Sequence, residues 1–177
     1  MEGEQLDYVP KSILVTGGCG FIGSQTTIEL CRAYPTCKVI VYDRLDYCGS
    51  RKNLEELDGH PHLKLVEGDL NESDLLAYIL RNERVDTVVH MAAQTHVDNS
   101  FSNSMAFTRD NILGTQSLLE VVREAKYPIN RFIHVSTDEV YGHTAAGATH
   151  GMPDANEGMA LEPTNPYSAS KALPTRP

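Results

Sequence analysis

Tyr167 and Lys171, four residues apart in Tyr-Ser-Ala-Ser-Lys, form the pair in this chain best suited to moving a proton. On a helix, residues at that spacing share a face. An ammonium beside a phenol stabilises phenolate and lowers the phenol's pKa, so the pair predicts a tyrosine tuned as a general base for a hydroxyl. The bare pattern also occurs by chance, and its weight depends on its company. Upstream, Thr137-Asp138-Glu139 stands in Val-Ser-Thr-Asp-Glu-Val-Tyr-Gly. It follows a predicted strand, so a hydroxyl and two carboxylates sit at the carboxyl end of a sheet, where α/β proteins bind ligands. The plainer readings of Asp138 and Glu139 are a helix start or a solvated acidic pair.

The third chemical feature is Thr16-Gly17-Gly18-Cys19-Gly20-Phe21-Ile22-Gly23. It satisfies G-x-G-x-x-G through Gly18, Gly20 and Gly23, and G-x-x-G-x-x-G through Gly17, Gly20 and Gly23. One glycine makes a tight turn, one lets backbone amides approach a pyrophosphate, and one lets a helix pack closely on a strand. The helix N-terminus adds partial positive charge. Asp43 ends the next predicted strand, about 20 residues on, the spacing of a carboxylate that accepts the adenosine ribose hydroxyls and repels a 2′-phosphate. The expected cofactor is therefore NAD, with Arg44 beside Asp43 the one feature that suits NADP. Glu67-Gly68-Asp69-Leu70 offers a carboxylate and an apolar side chain for the adenine, or is an ordinary turn. Ala92 and Ala93 leave space for a dinucleotide to cross the sheet. The plainer alternative is a Rossmann-like scaffold holding no nucleotide.

Elements in a fixed order must position these groups. Short apolar runs at Ser12–Thr16, Lys38–Tyr42, Leu63–Val66, Thr87–Met91 and Arg131–Ser136 read as strands. Helices are expected over Phe21–Tyr34, from Ser73 as N-cap to Asn82, within Ser104–Lys126, and over Tyr167–Ala172, the last cut short by Pro174. Such alternation predicts an α/β fold, a doubly wound parallel Rossmann sheet of order 3-2-1-4-5. His143–Ala160, rich in Gly and Ala, reads as a surface loop. His90 and His134 lie in apolar strands and read as packing residues; His96 is a candidate for the crevice.

The 177 residues allow one domain of ordinary size, and 41% hydrophobic content supports a core. A net charge of −9 argues against a nucleic-acid surface. Cys19, Cys31, Cys37 and Cys48 have no zinc spacing, so no metal is expected. With no secretory signal and no apolar run of membrane length, the expectation is a cytoplasmic protein with reduced thiols.

T-G-G-C-G-F-I-G, V-Y-D-R-L-D-Y-C, E-G-D-L, H-M-A-A-Q-T-H-V-D-N-S, V-S-T-D-E-V-Y-G and P-T-N-P-Y-S-A-S-K-A together resemble the dTDP-glucose 4,6-dehydratases. They equally resemble the UDP-glucose 4,6-dehydratase domains of rhamnose synthases, within the extended short-chain dehydrogenases/reductases. The likeness runs from about Lys11 to Ala172. It implies bound NAD, a nucleotide-sugar substrate, a homodimer, and a 4-keto-6-deoxy sugar as product. In the implied mechanism Tyr167 removes the O4 proton as C4 gives up hydride, and Lys171 supports the phenolate and the nicotinamide ribose. Thr137 orients the 4-hydroxyl, Glu139 removes the C5 proton and Asp138 protonates the departing C6 hydroxyl. Phe21, Ile22, Asp69, Leu70, Ala92, Ala93 and Thr95 match the family's cofactor crevice. Asp110 departs from it, standing where relatives often carry an uncharged residue.

Relatives also continue the Tyr/Lys helix into a substrate domain. The expected organisation is thus a tail over 1–11, an NAD-binding domain over 12–172 and a divergent tail over 173–177, with turnover and dimerisation impaired. Two further readings stay open: an NAD-binding fragment without turnover, and a nucleotide-sugar 4-epimerase. The Thr137-Asp138-Glu139 triplet argues against the epimerase, which eliminates no water and needs no such acid/base pair.

Overall fold

In the computed structural model, which describes residues 8–142 and 155–175, the run Ser-Ile-Leu-Val-Thr forms the central strand β1 (Ser12–Thr16), buried at every position. The run is apolar without alternation because both faces of a parallel sheet are covered. Its parallel neighbours are β2 (Lys38–Asp43) and β4 (Thr87–His90), which align Ile40 and Val88 with Leu14. β3 (Leu63–Glu67) adds beside β2 and β5 (Arg131–His134) beside β4, giving the order 3-2-1-4-5. The fold is the expected doubly wound α/β sheet. β5 ends two residues early, so Val135 and Ser136 lie beyond the sheet.

The helices are α1 (Phe21–Ala33), α2 (Ser73–Glu83), α3 (Val97–Ser102), α4 (Ser104–Phe107), α5 (Gly114–Arg123) and α6 (Pro166–Thr175). Alternate strand residues serve opposite layers. Ile13, Val15, Val39 and Val41 pack with Ile28 and Cys31 of α1. Leu14, Ile40 and Val88 pack with Leu76, Leu80 and Leu118 of α2 and α5. Each fully buried leucine contributes about 1.5–3 kcal/mol relative to exposure. The start of the described chain is tied down as well: the Tyr8 hydroxyl donates to Asp86 Oδ1 at 2.8 Å.

Several local expectations are corrected. Ser73 is the first helical residue of α2, and Glu72 occupies its N-cap position without a side-chain bond. The helix expected within Ser104–Lys126 is interrupted: α4 widens into a π-helical turn at Thr108–Leu113 before tightening into α5, which ends at Arg123. A widened turn adds a residue and re-aims its neighbours, and here it buries Asn111 to 1% exposure. Nor does Pro174 stop the last helix. Its ring is fixed near helical φ and, so close to the end, removes a single hydrogen bond. Thr175 closes the turn by donating from Oγ1 to Lys171 O at 2.6 Å. Residues 155–160 are irregular, whereas 143–154 of the expected surface loop lie outside the described residues. No described helix is long and apolar enough to cross a membrane.

Candidate active site

The crevice starts where β1 ends. Gly17 has φ +71°, and a Cβ there would stand 2.7 Å from the Ala92 backbone. At Gly23 a Cβ would lie 2.0 Å from Gly17 O. Only glycine permits this turn and lets α1 begin directly against it. No side chain caps α1, and its first turn carries no acidic residue. The open amides and positive dipole end of this helix therefore suit a diphosphate.

At the end of β2, Asp43 is held from two sides. Oδ2 accepts from Cys19 N and Oδ1 from Leu45 N, both at 2.8 Å. The carboxylate thus ties the glycine turn to β2 while standing in the crevice wall. Arg44 turns to carboxylates: Nη1 donates to Asp69 Oδ2 (3.0 Å), and Nη2 to Asp46 Oδ2 (2.7 Å) and Asp110 Oδ2 (2.8 Å). These bonds, Asp110 foremost, push the guanidinium's pKa above its usual value. Burial raises the Asp110 carboxyl, but hydrogen bonds from Arg44, Arg109 and Gln94 outweigh it and leave the pKa below normal.

Every residue nominated for cofactor contact lines one cavity of about 370 Å³: Gly17, Gly20, Phe21, Ile22, Gly23, Asp43, Arg44, Asp69, Leu70, Ala92, Ala93, Thr95, Tyr167 and Lys171. The exposed rings and chains of Phe21 and Ile22 stand at its mouth. The donor set fits a dinucleotide: open amides in the middle, carboxylates at the β2 and β3 edge, a phenol and an ammonium at the other end.

That far end is built by α6, which buries Tyr167 and Lys171. Thr137 N-caps the 3₁₀ turn Asp138–Tyr141, its Oγ1 accepting from Glu139 N, and it lies near enough to Tyr167 to act on the phenol's pKa. Asn165 Nδ2 donates to Glu139 Oε2 at 3.0 Å. Thr137, Asp138 and Glu139 stand beside the cavity rather than in its wall, where Val135 and Ser136 appear instead. The expectation of a lysine-lowered tyrosine pKa is corrected. Burial raises the Tyr167 pKa; the nearby Thr137 hydroxyl opposes this, while Glu139 and Asp138 add to it. Lys171 spends its ammonium on Val135 O at 2.7 Å, and burial lowers its own pKa to about 8.

His96 is corrected too: it is exposed, caps α3 through Nδ1, and is not part of the cavity wall. His90 is a buried packing residue, as expected, between Thr16 and Thr115. Sequence reasoning missed Asn111, whose Nδ2 donates to Gln94 O (3.0 Å) and Ser170 Oγ (2.8 Å), fixing the loop after β4 against α6. An asparagine inside an apolar helical pattern was the available signal. Ser136 and Asp46 were missed because ordinary polar residues in the loops after β5 and β2 carry no mark of which cavity they will face.

The GDP-mannose 4,6 dehydratase family model matches residues 14–175. A trifunctional UDP-glucose 4,6-dehydratase/3,5-epimerase/reductase of Arabidopsis thaliana is 52% identical over 165 residues, 93% of this chain and 24% of that protein. A dTDP-D-glucose 4,6-dehydratase of Dictyostelium discoideum is 45% identical over 174 residues, 94% of this chain and 39% of its own length. Among solved structures, the dTDP-glucose 4,6-dehydratase of Streptomyces venezuelae with NAD bound superposes with a TM-score of 0.77 at 45% identity, over 91% of this chain and 48% of that one. The chain thus spans between a quarter and half of the length of the relatives it matches.

Proposed function

Since this chain belongs to the GDP-mannose 4,6 dehydratase family, we propose that it holds NAD in the crevice and supplies the catalytic groups of a nucleotide-sugar 4,6-dehydratase. The observation that carries this reading is the meeting of Thr137 with Tyr167 beside Lys171, at the opposite end of the cavity from Asp43. A phenol with a threonine hydroxyl close by offers the sugar's 4-hydroxyl a binding position between them. NAD, when bound, supplies a hydride acceptor and returns the hydride at the end of the cycle.

The chain's own groups manage the protons. Tyr167 takes the O4 proton, with Thr137 orienting that oxygen. Loss of hydride leaves a ketone at C4, which acidifies C5–H; Glu139, oriented by Asn165, takes that proton and gives it back to C5 as the hydride returns to C6. Asp138 delivers a proton to the C6 hydroxyl as it departs as water. An epimerase has no use for these last two groups, so the triplet favours dehydration. A pair of copies meeting through α5 and α6 belongs to the same reading once residues 1–175 are joined to a relative's C-terminal portion, as does a reducing cytoplasm for cysteines that are all free.

The test uses residues 1–175 joined to the C-terminal portion of one of these relatives and supplied with dTDP-glucose and UDP-glucose. Formation of a 4-keto-6-deoxy sugar is the expected result. Glu139→Gln is expected to let reduced cofactor accumulate, and Tyr167→Phe to prevent its appearance, each with a loss of about a hundredfold or more. Both variants stalling at one stage would refute the division of roles.

A further inference from the structure

Resting on the cofactor reading above, we propose that Asp110 is a specificity-determining residue. By holding the Arg44 guanidinium against Asp46 and Asp69, it keeps this cation, which lies beside Asp43, from accepting a 2′-phosphate.

At the end of β2 a carboxylate suits NAD, and an arginine nearby accommodates the 2′-phosphate of NADP. This chain places both in the cavity wall, as Asp43 and Arg44. Arginine is always charged and presents a planar fork of donors, so Arg44 left free would offer a phosphate two parallel bonds. Its fork is already committed to three carboxylates, at 3.0, 2.7 and 2.8 Å.

Asp110 is the strongest of these anchors. Its side chain is 9% exposed, against 39% for Asp46 and 30% for Asp69, so its attraction is screened least by solvent. It is also pinned from behind. Arg109 Nε donates to its Oδ1 at 2.9 Å, and Gln94 Nε2 to its Oδ2 at 3.1 Å. The π-helical turn at Thr108–Leu113 presents Asp110 at this point. A 2′-phosphate entering here meets Asp43 and a cation whose charge is more than balanced, so both neighbours of the ribose favour the unphosphorylated cofactor.

The experiment is calorimetric titration of residues 1–177 with NAD and with NADP. It compares the wild type, Asp110→Asn, Asp46→Asn and the double variant Asp110→Asn/Arg44→Ala, each checked by a thermal melt. Asp110→Asn keeps the shape and removes the charge. It is expected to narrow the NAD-to-NADP affinity ratio by about tenfold, the scale of one charge-assisted bond gained by the phosphate. Asp46→Asn should narrow it less, and Arg44→Ala in the Asp110→Asn background should abolish the gain. A ratio unchanged in Asp110→Asn while NAD still binds overturns this inference alone, as does a gain that survives Arg44→Ala. Should Asp110→Asn fail to fold, Asp110→Ser, which also removes the charge, is read in its place, and an unchanged ratio there overturns the inference. A wild type that binds neither cofactor overturns the cofactor reading and this inference with it.

Discussion

Asp43 serves two purposes that substitution can separate. Its oxygens accept the amides of Cys19 and Leu45, and the same carboxylate stands in the cavity wall. Asp43→Ala strands two backbone donors, each costing about 1–3 kcal/mol when left unsatisfied. The variant is expected to lose about 2–4 kcal/mol of unfolding free energy without any ligand, and also to prefer NAD less. Asp43→Asn, with one acceptor retained, should lose less stability. Chemical denaturation of the three proteins checks this, and equal stability would contradict the structural half of the argument. The spacing of Asp43 from the glycine turn marked it in the sequence as a candidate for the crevice, where it stands. Its bond to Cys19 was not, because that contact exists only once the turn folds back over β2. The Tyr167/Lys171 pair was legible in the same way, whereas its electrostatics were not. Spacing sets which face two side chains share, but burial and the Val135 carbonyl decide what the ammonium does there.

At the scale of elements, β1, β4 and the π-helical turn are joined through one histidine. Thr115 Oγ1 donates to Asn111 O at 2.6 Å, so in its contact with His90 Nε2 (2.9 Å) the imidazole donates. Nδ1 therefore accepts from Thr16 Oγ1 at 2.6 Å, and the neutral ring is fixed in one tautomer. Burial, with His134 and Lys171 adding to it, lowers the His90 pKa to about 3. As pH falls, the unfolded chain's imidazole protonates near the ordinary histidine value of about 6.5, well before the folded one does. Stability from this group is complete above pH 6.5 and drains as pH falls towards 3, at up to about 1.4 kcal/mol per pH unit. His90→Gln is expected to flatten the pH dependence of unfolding free energy between pH 4 and 6.5 by about that slope. The part due to His134, whose pKa burial lowers to about 4, would remain. A slope identical to wild type would show that the ring is not the neutral bridge described. The strands joined here were readable as apolar runs because both sheet faces are covered. The π-helical turn was not, since its extra residue is paired by Gln94 and Ser170, distant in sequence. α6 outran its expected end for a related reason, because Thr175 is anchored both to Lys171 O and to Ser136 Oγ.

At the scale of the whole molecule, the described residues wall the crevice proposed for the cofactor, and Thr137, Asp138 and Glu139 are not part of that wall. β5 is an edge strand whose Ile133 is 42% exposed, and Leu113 and Leu173 beside α5 and on α6 are 54% and 63% exposed. Thr137, Asp138 and Glu139 are present, but a hydroxyl, an acid and a base accelerate a reaction only when the reacting carbons are held within about 3–3.5 Å of them. Among the described residues the cavity is walled by the set proposed for the dinucleotide and by its immediate neighbours, so this cavity offers no separate wall for the nucleotide part of a substrate. Residues 1–177 taken alone are therefore expected to bind NAD, to melt at a higher temperature with it, and to form no 4-keto-6-deoxy sugar from dTDP-glucose or UDP-glucose. At a hundred times its Kd the cofactor should add about 2.7 kcal/mol of stability. Exposed edges and apolar side chains of this kind favour association without specificity, so sedimentation should show monomer or polydisperse material rather than a defined pair. Turnover within tenfold of a relative, or a discrete and stable dimer, would show that these residues already complete the site.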